Sequence, residues 1–448
     1  MATRRWVVVG AGSAGCVVAA RLAAVGGTEV VLVESGPDLA PGRVPPSISG
    51  DSFFDAMSEP GRLHVALSAR HTDVGAERLY PRGRGVGGSS AVNAMVALAG
   101  DPALYRSWGW ADVDDAWARV VAPRQPVGDD ELGPVDRALL AAAPDAERAV
   151  LLRRDGRRVT SAEAMLWPLR DVPSLVVRAD TTVARVVLRG PRAVGVETTA
   201  GETIGADRVV LCAGAIHSPA ILLRSGVSVA GLGEGLQDHP SAPLTLVLRP
   251  DAVSAPDRLA IGSLLQRDPL QFLPMNHLGR SAPGLGLLMV ALMRPRGRGG
   301  TVRLRSDDPE VEPLVDFRLL DDDWDLDTLA TGVDTARQLL RSGPFEEIVA
   351  EVAVDAAGTP LDALATRADV ADWLRGAVGD YVHASSSCAM GTVVDADGRV
   401  VDHDALYVCD ASVFPSIPDV NTHLPTTMLA ERLVARWIAT APGRRPMA

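Results

Sequence analysis

The chain contains no lysine: all 44 basic residues are arginine, set against 56 acidic ones for a net charge of −12. Aromatic residues make up only 4% of it, and cysteine occurs four times. These scarcities exclude several roles. An acidic chain without basic clusters does not suit nucleic acid or an anionic membrane surface. Arg82 with Arg84, and Arg294 with Arg296 and Arg298, are short local groups. The arginine bias itself reads as codon usage in a GC-rich genome. Cys16, Cys212, Cys388 and Cys409 have no metal-ligand spacing and sit among apolar or small residues. We therefore expect a reduced, cytoplasmic protein with no bound metal. The longest apolar run, Leu285–Met293, is too short to span a bilayer. A strand beginning near residue 6 leads us to expect no cleavable signal. What remains is a globular chain of 448 residues, 47% hydrophobic, long enough for two domains.

What is present is most informative at the start. Trp6–Val9 is an apolar run, Gly10, Gly12 and Gly15 follow in G-x-G-x-x-G spacing, and a helical pattern covers Cys16–Ala24. A second apolar run then ends at Glu34. Each piece has a mechanical use in holding a dinucleotide. Gly10 permits the tight turn, Gly12 lets backbone approach a pyrophosphate, and Gly15 allows close helix–strand packing. The helix N-terminus faces the phosphates, and Glu34 is placed to accept hydrogen bonds from ribose hydroxyls.

The expected fold class is α/β. Residues 1–110, 166–240 and 376–448 are read as one Rossmann-like dinucleotide-binding domain, discontinuous in sequence. Arg208–Ala215 reads as a buried parallel strand entering a turn. Leu406–Cys409 reads as a strand, followed by an amphipathic helix from about Thr426 to Trp437. Residues 111–165 and 241–375 are assigned to an α+β substrate domain with strand-like runs and a helix over about 325–341. The acidic run Asp321–Asp325 reads as a solvated helix start, and Trp108 and Trp110 as core.

Further motifs carry a resemblance. Pro81–Asn93 (PRGRGVGGSSAVN), Gly214–Gly226 (GAIHSPAILLRSG), Leu236–Pro240 (LQDHP) and Leu292–Ser306 occur in that order. With the N-terminal fingerprint they resemble the glucose–methanol–choline (GMC) oxidoreductases, which are FAD enzymes, over nearly the whole chain. The resemblance implies an FAD-binding domain and a substrate domain built on a mostly antiparallel sheet. It implies FAD contacts from Gly10, Gly12, Ser13, Ala14, Gly15, Glu34, Ser35 and Arg82. Gly87, Gly88, Ser89, Asn93 and Ala94 would lie along the flavin and pyrophosphate, and Val183 would meet the adenine. Ala213, Gly214, Asp410, Ala411, His423, Pro425 and Thr426 complete the set. Some relatives attach flavin covalently through a histidine two positions before the residue matching Ala94. Val92 stands there, so non-covalent FAD is expected.

Oxidising an alcohol requires a base near the hydroxyl, and histidine has a suitable pKa. His383 opens a segment matching the family's catalytic histidine, and His423 fills a position where relatives have histidine or asparagine. We read His383 as base and His423 as the group that orients the alkoxide, with exchange of roles open. A helix starting near Pro425 would aim free N–H groups around Thr426 and Thr427 at the charge a flavin gains on reduction. His217 and His239 read as packing in the cofactor domain. His64, His71, His277 and His403 have no context.

The expected activity is FAD-dependent oxidation of a CH–OH group in an alcohol, sugar or natural-product intermediate, with oxygen or another electron acceptor. A lyase or isomerase on the same fold and a mycofactocin-linked dehydrogenase are the alternatives. A monomer or small homo-oligomer is expected. The chain departs from the family in three places. The segment after Trp110 is compressed, Ser386 and Ser387 replace a common glycine and threonine, and 395–409 is contracted.

Overall fold

The computed structural model describes residues 3–440; residues 1, 2 and 441–448, included in the domain assignment above, lie outside it. In chain order, the elements that build the site are β1 (Arg4–Val9), α1 (Ser13–Ala23), β2 (Thr28–Val33), β3 (Leu175–Arg178), β4 (Arg208–Leu211) and α2 (Gly214–Arg224). There follow β5 (Ser241–Leu248), β6 (Ser263–Arg267), β7 (Leu270–Met275), β8 (Leu285–Leu292), α3 (Asp323–Leu340), β9 (Val349–Ala353), β10 (Leu406–Val408) and α4 (His423–Ala439).

The first sheet has the order β3-β2-β1-β4-β10 and is parallel throughout. Its inner strands read as continuous valine and leucine because both faces are covered. Val7, Val8, Val31, Val209 and Val210 are buried in one core with α1 and α4. Trp6 stacks on Trp437 with ring centroids 5.6 Å apart, and Arg21 of α1 pairs with the buried Glu431 of α4 at 2.8 Å. The chain runs outward from β1 to β3, then returns to place β4 on the other side of β1. That reversal opens a crevice beyond the carboxyl ends of β1 and β4, where open α/β sheets bind ligands.

The second large sheet, β9-β5-β8-β7-β6 plus Glu147–Arg148, is antiparallel throughout. It alternates buried and half-buried positions along β5. Helix α3 packs so close to β8 that a Cβ on Gly332 would stand 2.7 Å from Val290. Asp322 caps α3 by accepting from Trp324 and Asp325 N–H. Asp325 itself is buried and accepts from the Arg296 and Gly297 N–H groups, which ties α3 to the preceding loop and departs from the solvated start expected.

Some segments pack differently from the sequence assignment. Helix Val113–Arg119 buries Val113 and Ala116 in the core of the parallel sheet, beside Trp110. Ala162, Met165 and Leu166 join that core too, whereas Leu67, Ala69 and Tyr80 pack with the antiparallel sheet. Apolar residues in irregular segments carry no period that would say which core they enter. The last helix begins at His423 rather than near Pro425.

Candidate active site

One cavity of about 620 Å³ extends from the ends of β1 and β4 to Leu273, Met275 and Met289 of the antiparallel sheet. Its floor at the first turn is backbone. Gly10 has φ +96°, and a Cβ there would lie 2.6 Å from the Cys212 carbonyl oxygen. A Cβ on Gly15 would strike the Gly10 carbonyl oxygen at 1.8 Å, and one on Gly88 would meet Gly12 Cα at 2.6 Å. Gly12 points into open space, with Gly88 Cα at 3.9 Å its nearest neighbour. The first turn of α1 has no side-chain cap and no acid, which leaves its N–H groups to an anion. These features fit a dinucleotide.

Of the expected cofactor contacts, Gly10, Gly12, Ser13, Ala14, Glu34, Ser35, Arg82, Gly88, Ser89, Asn93 and Ala94 line this cavity. So do Val183, Ala213, Gly214, Asp410, Ala411, His423 and Thr426. Gly15, Gly87 and Pro425 stand behind the wall. Gly87, with φ +98°, donates its N–H to the Ala11 carbonyl and faces Leu39 and Ala91. The Glu34 carboxylate is also a structural tie. It accepts from Ala11 N–H on one oxygen, and from the Gly36 and Gly85 N–H groups on the other, 2.8–2.9 Å away. The first oxygen keeps a lone pair free. Asp410 accepts from Gly214 N–H and the Ser218 hydroxyl, joining α2 to the loop after β10.

The start of α4 also differs in detail. Thr426 N–H closes the first turn on the Thr422 carbonyl. The N–H groups left open are therefore those of His423 and Leu424, not those of Thr426 and Thr427. No acid or side-chain cap occupies that turn.

Both expected catalytic histidines reach the cavity. His423 Nδ1 lies 2.8 Å from Ser13 Oγ. Burial, with the Arg158 guanidinium adding to it, pushes His423 down to about 4. His383 is brought in by a bridge between Gln237 and Ser385, whose N–H and C=O groups exchange bonds at 3.0 Å. Asp238 accepts from the His239 and His383 backbone N–H groups and from the Tyr80 hydroxyl, which fixes the turn. Burial and then Asp380 push Asp238 up to about 7, against those donors.

Sequence reasoning missed His239. Its Nδ1 is 2.9 Å from His383 Nδ1, and its Nε2 is 2.9 Å from the Pro418 carbonyl. A carbonyl only accepts, so His239 Nε2 carries the proton and Nδ1 offers a lone pair. Burial pushes His239 down to about 3, so the ring stays neutral. His383 Nδ1 must then donate, which leaves His383 Nε2 with a lone pair. Burial, then His239 and Arg82, hold His383 well below the usual imidazole range. Asn421 Nδ2 stands 3.5 Å from that Nε2, and Asn421 Oδ1 is buried without a partner. The LQDHP motif contained His239, but no local rule places it against His383.

A crevice at the turning point of a parallel sheet, joined to a buried histidine pair beneath an antiparallel sheet, is the architecture of a dinucleotide-dependent oxidoreductase. Models of the GMC oxidoreductase family match residues 5–120, 141–241 and 295–430. The chain is 31% identical to 5-(hydroxymethyl)furfural oxidase of Methylovorus sp. (strain MP688), over 96% of its own length and 97% of the relative's. It is 28% identical to the oxygen-dependent choline dehydrogenase of Paraburkholderia phytofirmans (99% and 95%) and 27% to pyridoxine 4-oxidase of Microbacterium luteolum (95% and 97%). The crystal structure of pyridoxine 4-oxidase from Mesorbium loti superposes with a TM-score of 0.87 at 23% identity, covering 98% of this chain and all of that one. Formate oxidase superposes at 0.83 and 19% identity, covering 98% and 99%. The protein belongs to the GMC oxidoreductase family and is an FAD-dependent alcohol oxidoreductase. The alignment with the Methylovorus enzyme runs over 526 positions, so that relative carries segments this 448-residue chain lacks. Among the described residues no helix is long and apolar enough to cross a membrane.

Proposed function

We propose that the enzyme oxidises a small or medium alcohol bearing an apolar group, with His383 as general base. The carrying observation is the hydrogen-bond chain Pro418–His239–His383, which puts the His383 lone pair on Nε2, met only by a long 3.5 Å contact from Asn421 Nδ2, on a ring that lines the cavity. Bound FAD supplies the hydride acceptor. His383 Nε2 takes the hydroxyl proton of the substrate. Asn421 and His423, the latter at the open N-terminus of α4, hold the substrate oxygen. Met275, Met289 and Leu273 give the cavity an apolar wall toward the antiparallel sheet. Arg82, whose guanidinium donates to the Val382 carbonyl, steadies the loop carrying His383.

FAD is held without a covalent bond, since Val92 lines the cavity where an attaching histidine would stand. Acid precipitation should release all flavin into the supernatant. Flavin remaining with the pellet would overturn that reading. The activity is tested by anaerobic spectra of the yellow protein with a panel of apolar and polar alcohols. Bleaching by apolar members first supports the proposal. A flavin that stays oxidised with every alcohol sinks it. Readmitted air then shows whether oxygen accepts the electrons.

A further inference from the structure

Three side chains outside the hydride-transfer chemistry converge on one point. His64 follows the short helix Phe53–Met57, and its backbone N–H donates to the Arg82 carbonyl at 3.1 Å. His217 lies in the first turns of α2. Glu312 sits in the loop between strands Gly300–Arg303 and Leu314–Asp316. All three line the cofactor cavity. Their side chains are 18–20% exposed, sheltered yet reachable by an ion.

The two imidazoles stack, with centroids 4.4 Å apart and planes at 29°. His64 Nδ1 is 3.1 Å from one Glu312 oxygen, and His217 Nε2 is 2.8 Å from the other. Nitrogens and carboxylate lie within 4.8 Å of one another. In a chain with 44 arginines, none among the described residues lies within ion-pair reach of Glu312. Zinc–nitrogen and zinc–oxygen bonds are about 2.0–2.2 Å, so two ligand atoms on one ion stand roughly 3–3.5 Å apart. The two nitrogen–carboxylate separations already fall close to that range, and rotation of the side chains about their own bonds would bring the three ligand atoms around one ion.

We propose that His64, His217 and Glu312 bind one divalent transition-metal ion, with zinc the best match to two imidazoles and a carboxylate. Three protein ligands leave the remaining positions to water. The ion ties the Glu312 loop to α2 and to the His64 turn across the cofactor cavity, so it should also slow FAD release.

The test is calorimetric titration of the FAD-loaded, chelator-treated protein with zinc chloride. One equivalent should bind with a micromolar or lower dissociation constant. His217→Ala and Glu312→Gln should each weaken it at least ten-fold, and zinc should slow flavin release several-fold in the wild type alone. His64→Asn serves if either variant fails to fold, as judged by circular dichroism. Absence of stoichiometric binding overturns the proposal. So does binding that survives these substitutions and disappears in His383→Ala, because the ion would then sit on Asp238, His239 and His383, whose ligand atoms are equally close.

Discussion

His239 Nδ1 and His383 Nδ1 lie 2.9 Å apart, and the Pro418 carbonyl on the far side of His239 decides which of the two carries the proton between them. His239 touches no reacting atom in this arrangement. It positions His383 and sets its tautomer, as outer partners do for other catalytic imidazoles. Replacing His239 with alanine should cut the rate of anaerobic flavin reduction about 10–100-fold while KM changes little. A neutral mutant with an unaltered pH profile would refute this tautomer role.

His383→Ala removes the base we propose. Flavin reduction should fall by roughly 10²–10⁴-fold, the usual contribution of general base catalysis, with the visible FAD spectrum retained. Because His383 is held well below the usual imidazole range, the acid limb of wild-type kcat/KM should lie below pH 6.5. A limb centred at or above that value would mean another group titrates. Stopped-flow spectra across pH supply both numbers.

Two glycines three residues apart should behave oppositely. Gly12→Val projects into the cavity, with nothing nearer than 3.9 Å, so the chain should fold but retain no FAD. Gly15→Ala would drive a Cβ into the Gly10 carbonyl oxygen at 1.8 Å, a destabilisation of about 3 kcal/mol or more. Flavin content and urea midpoints separate the two effects. A yellow Gly12→Val protein would remove the pyrophosphate from that turn.

Ser386 has a φ of +73°, in the left-handed region that favours glycine. Its hydroxyl is buried without a partner. The left-handed backbone costs a non-glycine residue about 1–2 kcal/mol, partly offset by the greater freedom of unfolded glycine. Ser386→Gly should therefore stabilise the protein by about 1 kcal/mol, seen as a rise of about one degree in Tm for a chain of this length. A fall would show that the serine side chain supports the His383 loop.

Burial lowers His423 from 6.5 to about 4. The unfolded chain takes up this proton as pH falls through 6.5, while the native state refuses it until about 4. Native stability carried by this group is thus full above 6.5 and is lost on acidification, by about 1.4 kcal/mol per pH unit. His423→Asn deletes the titration in both states. Denaturant unfolding of FAD-free protein between pH 6 and 4.5 should show a slope shallower by that amount. Equal slopes would place the ring in water.

Much of the cofactor site was legible because its rules are short-range. The Gly10–Gly15 turn, β1, β2 and the acid at 34 lie within one βαβ unit, where spacing maps directly onto geometry. The helix at the C-terminus was also legible, though its start was displaced from Pro425 to His423. Proline fits more than one position of a first turn, and that shift reassigned the open N–H groups. That the short helix Val113–Arg119 enters the core of the parallel sheet was not legible, because two amphipathic turns do not say what they face.

By itself, then, the sequence determined the fold class and the dinucleotide turn, and it singled out two histidines that both reach the cavity, since each depends on neighbours within a few tens of residues. Tertiary structure alone decided which nitrogen of His383 is free, because its partner is 144 residues away and oriented by a carbonyl 179 residues from that partner. It also decided that Glu312 meets His64 and His217, 248 and 95 residues distant. Hydrogen bonds over such separations are set by how sheets and loops pack, and packing leaves no period in the chain.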